Sequence, residues 1–137
     1  MKKNFLLSIA LLVSAFVSAQ PAPGSFKQTW KVGPDWLRNG VIYQVYPSSY
    51  KDSDGNGIGD IQGVISKLDY IESLGVSAIW FNPLFVSGWI DGGYDVIDFY
   101  RVDPRFGTNN DLVELIRKAH DKGIKVMLDL VAGHTSD

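Results

Sequence analysis

Oxygen-bearing side chains alternate along one short, glycine-rich segment of the chain. The segment reads Asp-Ser-Asp-Gly-Asn-Gly-Ile-Gly-Asp and covers residues 52–60. It fits the first half of an EF-hand loop, with oxygen side chains at loop positions 1, 3 and 5, glycine at 6, a backbone carbonyl at 7 and an acid at 9. Loop position 12 is Gly63, which cannot supply the bidentate carboxylate of an EF-hand.

This spacing predicts a self-contained cation site. Its ligands are Asp52, Asp54, Asn56, the carbonyl of Ile58, and Asp60. Ca²⁺ is favoured over Mg²⁺, which stays possible, because many protein oxygens converge in a flexible loop. The alternative is a solvated Asp/Gly turn that holds no cation.

A second group of residues is suited to binding a sugar. Tyr94 offers a flat apolar ring, and the adjacent carboxylate of Asp95 can accept hydrogen bonds from hydroxyl groups. Trp89 and Phe85 lie close enough in the chain to widen such a platform. The alternative for Tyr94 is an aromatic side chain buried under a long loop.

Asp129 and His134 follow the last apolar run of the chain. Alternation along a strand places Asp129, Val131 and Gly133 on one side, with His134 at the tip. An imidazole there could donate to a substrate hydroxyl, and Asp129 could orient a cation or a guanidinium group. The alternative for His134 is an ordinary loop histidine.

The elements that position these residues alternate between strand and helix. Apolar runs predict strands over 41–46, 76–81 and 124–131. Helical spacing predicts one helix from Ile61 that stops at Gly75, and a second that begins at a Thr108–Asp111 capping box and ends at Gly123. Residues 84–107 are predicted to form a long loop. The order is β-α-β-α-β, the pattern of an α/β protein with parallel strands.

Two architectures share this opening, a doubly wound sheet and a (β/α)8 TIM barrel. A dinucleotide fold needs G-x-G-x-x-G after its first strand. This chain instead has glycines among Asp52, Asp54 and Asp60, whose charges would repel a pyrophosphate. We therefore expect the first β-α-β-α-β portion of a barrel. Because a complete barrel takes about 250 residues, the 137-residue chain is expected to be an incomplete, N-terminal fragment.

The N-terminus has the pattern of a targeting signal. Lys2 and Lys3 precede an apolar stretch that ends in small residues at Ala19. We expect a signal peptide over 1–19, a leader over 20–38 and the barrel part over 39–137, in a secreted or periplasmic protein. A membrane anchor is the alternative, but the apolar stretch is shorter than the roughly 20 residues of a spanning helix.

Removal of the two lysines leaves 11 basic and 15 acidic residues, a net charge of −4. This balance argues against nucleic acid as a partner, and against a membrane once the signal is cleaved. The chain has no cysteine, so we expect it to be held together by packing rather than by disulfides.

Four segments in this order resemble the alpha-amylase family of glycoside hydrolases (family 13), especially its alpha-glucosidase and oligo-1,6-glucosidase branch. They are VIYQVYPSSYKDSDGNGIGD, LDYIESLGVSAIWFNP, GGYDVIDFYRVDPRFGT and IKVMLDLVAGHTSD. The resemblance runs from about Gly40 to the last residue. It implies an α-glucan or oligosaccharide substrate and a retaining mechanism.

The resemblance also implies roles for single residues. The predicted cation ligands match the calcium site of the family's first loop. Tyr94 matches the tyrosine that stacks on the sugar in the cleavage subsite, and Asp95 matches an acid that holds the non-reducing-end hydroxyls in the exo-acting branch. His134 matches a histidine that contacts the same sugar, and Asp129 matches an acid that supports the active-site arginine.

The family's catalytic carboxylates follow the fourth, fifth and seventh strands, so the resemblance implies that none lies within this chain and that the chain alone is inactive. Gly133 stands where the family usually has Asn, which puts a second calcium site in doubt. Two alternatives to a hydrolase stay open. One is a non-catalytic carbohydrate-binding or partner domain on the same barrel. The other is a transglycosylase or isomerase such as trehalose synthase.

Overall fold

The computed structural model describes residues 33–136. The expected signal peptide and most of the expected leader lie outside the described residues. Within 33–136, none of the helices has the length and apolar character that a membrane crossing requires.

The described residues contain five helices, of which two are single turns, and five strands. In chain order these are α1 (Asp35–Arg38), β1 (Ile42–Val45), α2 (Pro47–Tyr50), α3 (Ile61–Ile65), α4 (Leu68–Ser73), β2 (Ala78–Phe81), β3 (Phe85–Ser87), β4 (Val96–Val102), α5 (Asn109–Asp121) and β5 (Lys125–Leu128).

Three of the strands form one parallel sheet in the order β1-β2-β5. Val45 lies opposite Phe81, and Phe81 lies opposite Leu128, so the three strands end at the same level. The central strand β2 is the most buried, with Ala78, Ile79 and Phe81 fully inaccessible. The predicted β-α-β-α-β order is thus confirmed, and the sequential strand order agrees with the expected opening portion of a barrel.

One hydrophobic core joins the sheet to the helices. It includes Ile61, Val64, Leu68 and Ile71 from the first helical region and Leu112, Leu115 and Ala119 from α5. The predicted capping box is present at the start of α5, where the Thr108 side chain accepts from the Asp111 backbone N–H and the Asp111 carboxylate accepts from the Thr108 N–H. It satisfies two backbone donors that the first helical turn leaves free.

The prediction of one continuous helix from Ile61 is wrong, because the structure has two helices there. α3 ends at Ile65 and α4 begins at Leu68. The Ser66 hydroxyl donates to the Gly63 carbonyl at 2.6 Å, and Lys67 leaves the helical conformation with φ −110° and ψ 4°. Serine competes for backbone groups in this way, so apolar spacing alone could not reveal the break.

The segment 84–107 is not only a loop, as predicted, since it contains an antiparallel hairpin. β3 pairs with β4 with two shifts of register, which lets Phe85 lie opposite Val102 and Ser87 opposite Val96. The short first strand and the polar residues within β4 obscured the alternation that indicates a strand. The hairpin matters for the site because it carries residues 88–95 at its tip.

The third parallel strand is also shorter than predicted. It ends at Leu128, so Asp129 is the first residue after the strand, and strand alternation does not extend to Val131 and Gly133. The Asp129 N–H still donates to the Phe81 carbonyl at 3.1 Å, which ties Asp129 to the end of β2.

Truncation of Leu115 tests the core. Leu115 is fully buried, whereas Val113 on the same helix is 65% exposed. We expect Leu115→Ala to lower the free energy of unfolding by about 2–5 kcal/mol because it leaves a cavity. Val113→Ala is the matched control and should change it by less than about 0.5 kcal/mol. Equal urea midpoints for the two variants would contradict this core.

Candidate functional site

The acidic loop lies between α2 and α3 and gathers three carboxylates. One carboxylate oxygen from each of Asp52, Asp54 and Asp60 lies within 4.8 Å of the others. Like charges repel at this separation, so the loop must provide groups that offset the repulsion.

Backbone N–H groups provide that compensation around Asp52. Its carboxylate accepts from Gly55 at 2.7 Å, from Gly57 at 2.8 Å and from Asp54 at 3.1 Å. Gly55 and Gly57 have φ of 82° and 91°, a conformation that glycine adopts without strain. The Gly57 N–H, and then that of Gly55, lower the pKa of Asp52 below its ordinary value.

The other predicted ligands repeat this pattern along the loop. Asp54 accepts from the Asn56 N–H at 3.0 Å, and the Asn56 side-chain oxygen accepts from the Ile58 N–H at 2.8 Å. Asp60 is the N-cap of α3, where it accepts from Gly63 at 2.6 Å, and its other oxygen accepts from Ser53. Asp60 therefore belongs to the acidic loop and also caps α3.

The donor set fits a hard cation. A carboxylate offers about four lone-pair positions. Asp60 and Asp52 each accept three hydrogen bonds and Asp54 accepts two, so each carboxylate keeps at least one position for an ion. A cavity of about 170 Å³ adjoins the loop and is lined by Asp54, Asn56 and Asp60 together with Arg105 and Phe106.

Tyr94 and Asp129 meet at the carboxyl end of the parallel sheet. The Tyr94 hydroxyl donates to Asp129 Oδ2 at 3.0 Å across 35 residues of chain. It also accepts from Asn82 Nδ2 at 2.9 Å. Burial and the bond to the Asp129 carboxylate raise the pKa of the Tyr94 phenol. In barrels of this type the active site lies on this face.

Asp95 is buried at the tip of the hairpin, with 8% of its surface exposed. Its carboxylate accepts from the Ile90 N–H at 3.0 Å and from the Asp91 N–H at 3.3 Å. The Ile90 contact is the main cause that lowers the pKa of Asp95. The carboxylate therefore closes the turn and keeps lone pairs for further donors.

His134 lies on the exposed segment that follows β5. Two residues later, the Ser136 N–H donates to the Val96 carbonyl at 3.1 Å, which holds this segment beside the start of β4 and next to Asp95. The structure thus joins Tyr94 directly to Asp129. The His134 side chain makes no hydrogen bond with the residues in the range 33–136.

Trp89 has a structural position that the sequence did not suggest. Its indole N–H donates to buried Asp103 at 3.0 Å, its ring is 5.5 Å from that of Phe106, and the Arg105 guanidinium lies 3.9 Å above it. These contacts hold the ring in place but leave it partly exposed, so its part in widening a sugar platform stays a prediction. Phe85 likewise packs against Phe99.

The Asp103 carboxylate anchors this second cluster. Burial opposes its ionisation, but the Arg105 backbone N–H, the Trp89 indole and the Arg105 guanidinium together lower its pKa. The Phe106 carbonyl accepts from the Ile61 N–H at 3.0 Å, so the cluster adjoins the first residue of α3 and the acidic loop.

Gln44 and Asn82 were also missed by sequence reasoning. Gln44 Nε2 donates to Asn82 Oδ1 at 3.0 Å, and Asn82 in turn reaches Tyr94. The available signal was positional, because Asn82 directly follows β2 and precedes Pro83. A polar residue at the carboxyl end of a barrel strand is a candidate for function.

The sequence matches a known protein family over most of the described region. The family is described as "Alpha amylase, catalytic domain", and the match covers residues 44–137. Trehalose-6-phosphate hydrolase of Escherichia coli (strain K12) is 50% identical over 103 residues, which are 75% of this chain and 19% of the relative. Oligo-1,6-glucosidase of Heyndrickxia coagulans is 47% identical over 103 residues, again 75% of this chain and 19% of the relative.

Solved structures are also similar to this chain in fold and in sequence. A trehalose-6-phosphate hydrolase of Bacillus licheniformis superposes with a TM-score of 0.73 at 48% identity, covering 75% of this chain and 18% of that one. An isomaltulose synthase from Protaminobacter rubrum superposes with a TM-score of 0.75 at 45% identity, covering 77% and 19%. The chain spans about a fifth of the length of the curated relatives it matches.

The charge of Asp52 predicts a pH dependence of stability. Because its pKa is lowered in the folded chain, the ionised form stabilises the fold fully above the unfolded-state pKa of about 3.9, and this contribution disappears as pH falls through the folded pKa. We expect Asp52→Asn to lower the urea midpoint at about pH 6, with the deficit shrinking toward about pH 2.5. Asp91→Asn, which removes another exposed loop charge, is the control. A deficit that stays constant with pH would contradict this account.

Proposed function

The chain belongs to the alpha-amylase family, and from that premise we propose that it serves the cleavage or transfer of α-glucosidic bonds in oligosaccharides. The observation that carries the proposal is the Tyr94–Asp129 hydrogen bond. It holds an aromatic ring at the carboxyl end of the sheet, and Asp95 is the next residue in the chain. A ring face and a carboxylate suit the apolar and hydroxylated surfaces of a sugar.

Each residue has a distinct part in this proposal. The Tyr94 ring stacks on the glucose ring that carries the bond to be broken. Asp95, with lone pairs left after its two backbone contacts, accepts from glucose hydroxyls. His134 on the adjoining segment contacts the same sugar, and Asp129 supports an active-site arginine through the oxygen that Tyr94 does not use.

The reaction proposed for the whole protein is a retaining one. A carboxylate attacks the anomeric carbon, a second carboxyl group protonates the leaving oxygen, and an acceptor then releases the glycosyl group. Water as the acceptor gives hydrolysis, and a sugar hydroxyl gives transfer. The relatives named as hydrolases and the neighbour named as an isomaltulose synthase support both variants.

A structural calcium ion forms the second part of the proposal, with Mg²⁺ as the alternative. Asp52, Asp54, Asn56, the Ile58 carbonyl and Asp60 would hold the ion, which would fix the loop that precedes α3. The three convergent carboxylates support this assignment.

We also propose export from the cytoplasm, which rests on the signal-like pattern of residues 1–19.

Sugar binding tests the first part. We expect maltose to perturb the NMR resonances of Tyr94, Asp95 and His134, and Tyr94→Ala to weaken binding by about tenfold because the stacking face is lost. Tyr100→Ala is the matched control, since Tyr100 is 92% exposed on β4. If maltose leaves these resonances unmoved, or if both variants weaken binding equally, the assignment of the sugar site fails.

Thermal stability tests the second part. Ca²⁺ at about 100 times its Kd should stabilise the fold by about 2.7 kcal/mol and raise Tm by several degrees. Asp54→Asn should abolish most of this shift because it removes a ligand charge, whereas Asp91→Asn should retain it. A shift that survives in Asp54→Asn would place any bound ion elsewhere.

A further inference from the structure

Three side chains and one carboxylate form a hydrogen-bonded series across the carboxyl end of the sheet. We propose that Gln44 and Asn82 are positioning residues that fix the direction of the Tyr94 hydroxyl, so that the site offers a sugar the face of this ring and not a donor hydroxyl. The sugar part of this inference rests on the proposed function.

The series crosses the whole sheet. Gln44 belongs to β1, Asn82 follows β2, Tyr94 comes from the hairpin, and Asp129 follows β5. The three links measure 3.0 Å from Gln44 to Asn82, 2.9 Å from Asn82 to Tyr94 and 3.0 Å from Tyr94 to Asp129. Parallel strands that end at one level allow these side chains to meet.

The direction of every link follows from the carboxylate. An ionised carboxylate carries no hydrogen, so Asp129 can only accept and the Tyr94 hydroxyl must donate to it. That hydroxyl has one hydrogen, so its oxygen must accept from Asn82. The amide nitrogen of Asn82 therefore faces Tyr94, its oxygen faces Gln44, and Gln44 must donate.

The direction of these hydrogen bonds decides which groups of Tyr94 stay available to a ligand. Its hydrogen is already given to Asp129 and one lone pair is already used by Asn82, so the hydroxyl has no hydrogen left for a sugar. The hydroxyl therefore offers a sugar no donor, whereas the ring face stays available and suits the C–H side of a glucose ring. Recognition of hydroxyl groups falls to neighbouring carboxylates such as Asp95.

Asn82 and Gln44 can be altered separately. Asn82→Ala removes the donor to Tyr94. Asn82→Asp keeps the shape but removes the donating hydrogens, so the Tyr94 hydroxyl is drawn away from Asp129. Gln44→Ala removes the group that orients the amide, and because Gln44 is exposed this variant should fold. Asn110→Asp, at an exposed position on α5, is the control for the added charge.

The first readout needs no sugar. In protein labelled with ¹³C at the tyrosine ζ carbon, the solvent isotope shift of that carbon reports the exchange of the hydroxyl hydrogen, and Tyr94→Phe identifies the Tyr94 signal. We expect exchange at Tyr94 to become about tenfold faster in Asn82→Ala and Asn82→Asp, and to rise by a smaller factor in Gln44→Ala. Asn110→Asp should match the unaltered chain. Unchanged exchange in both Asn82 variants would overturn the proposal.

The second readout is maltose binding by the same variants, with the urea midpoint as a check on folding. Weaker binding in both Asn82 variants and in Tyr94→Phe, with binding kept in Asn110→Asp, would support the role of these links in presenting the ring face. Unchanged binding in both Asn82 variants would overturn that role. If the unaltered chain does not bind maltose although exchange responds as expected, the proposed function fails and the positioning role of Gln44 and Asn82 stands.

Discussion

One hydrogen bond, from the Tyr94 hydroxyl to the Asp129 carboxylate, organises the carboxyl end of this sheet. It joins the tip of a hairpin to the end of β5. The contact of Asn82 with Tyr94 and the backbone contact between Ser136 and Val96 also hold the hairpin near this face. The position of Asp95 depends on the same link, since it is the next residue in the chain and closes the same turn. The candidate sugar site is thus a consequence of how one loop is fastened to the strand ends.

In the acidic loop, backbone N–H donors likewise hold the carboxylates in place. Asp52 accepts three backbone N–H groups, and Asp60 caps α3. The contacts at Asp52 lower its pKa and favour its ionised form, and the three carboxylates of the loop converge. The loop also adjoins the cluster of Asp103, Arg105 and Trp89 through the backbone contact of α3, which makes it part of the folded domain rather than an appended turn.

The parts of the fold that local chemistry determines were predictable from the sequence. Apolar runs located the three parallel strands, the Thr108 capping box located the start of α5, and the spacing from Asp52 to Asp60 located the acidic loop. Features that depend on register or on distant partners were not predictable in this way. The hairpin pairs with shifted register, Ser66 diverts the helix through one side-chain bond, and the Gln44–Asn82 contact joins residues 38 positions apart.

The central claim is that Tyr94 and Asp129 interact directly, and a double-mutant cycle measures that interaction most simply. Tyr94→Phe, Asp129→Ala and the double variant would be compared with the unaltered chain by urea unfolding. A coupling free energy of about 1 kcal/mol or more is predicted, because each single change removes the same hydrogen bond. Strictly additive effects, with a coupling free energy near zero, would contradict the account.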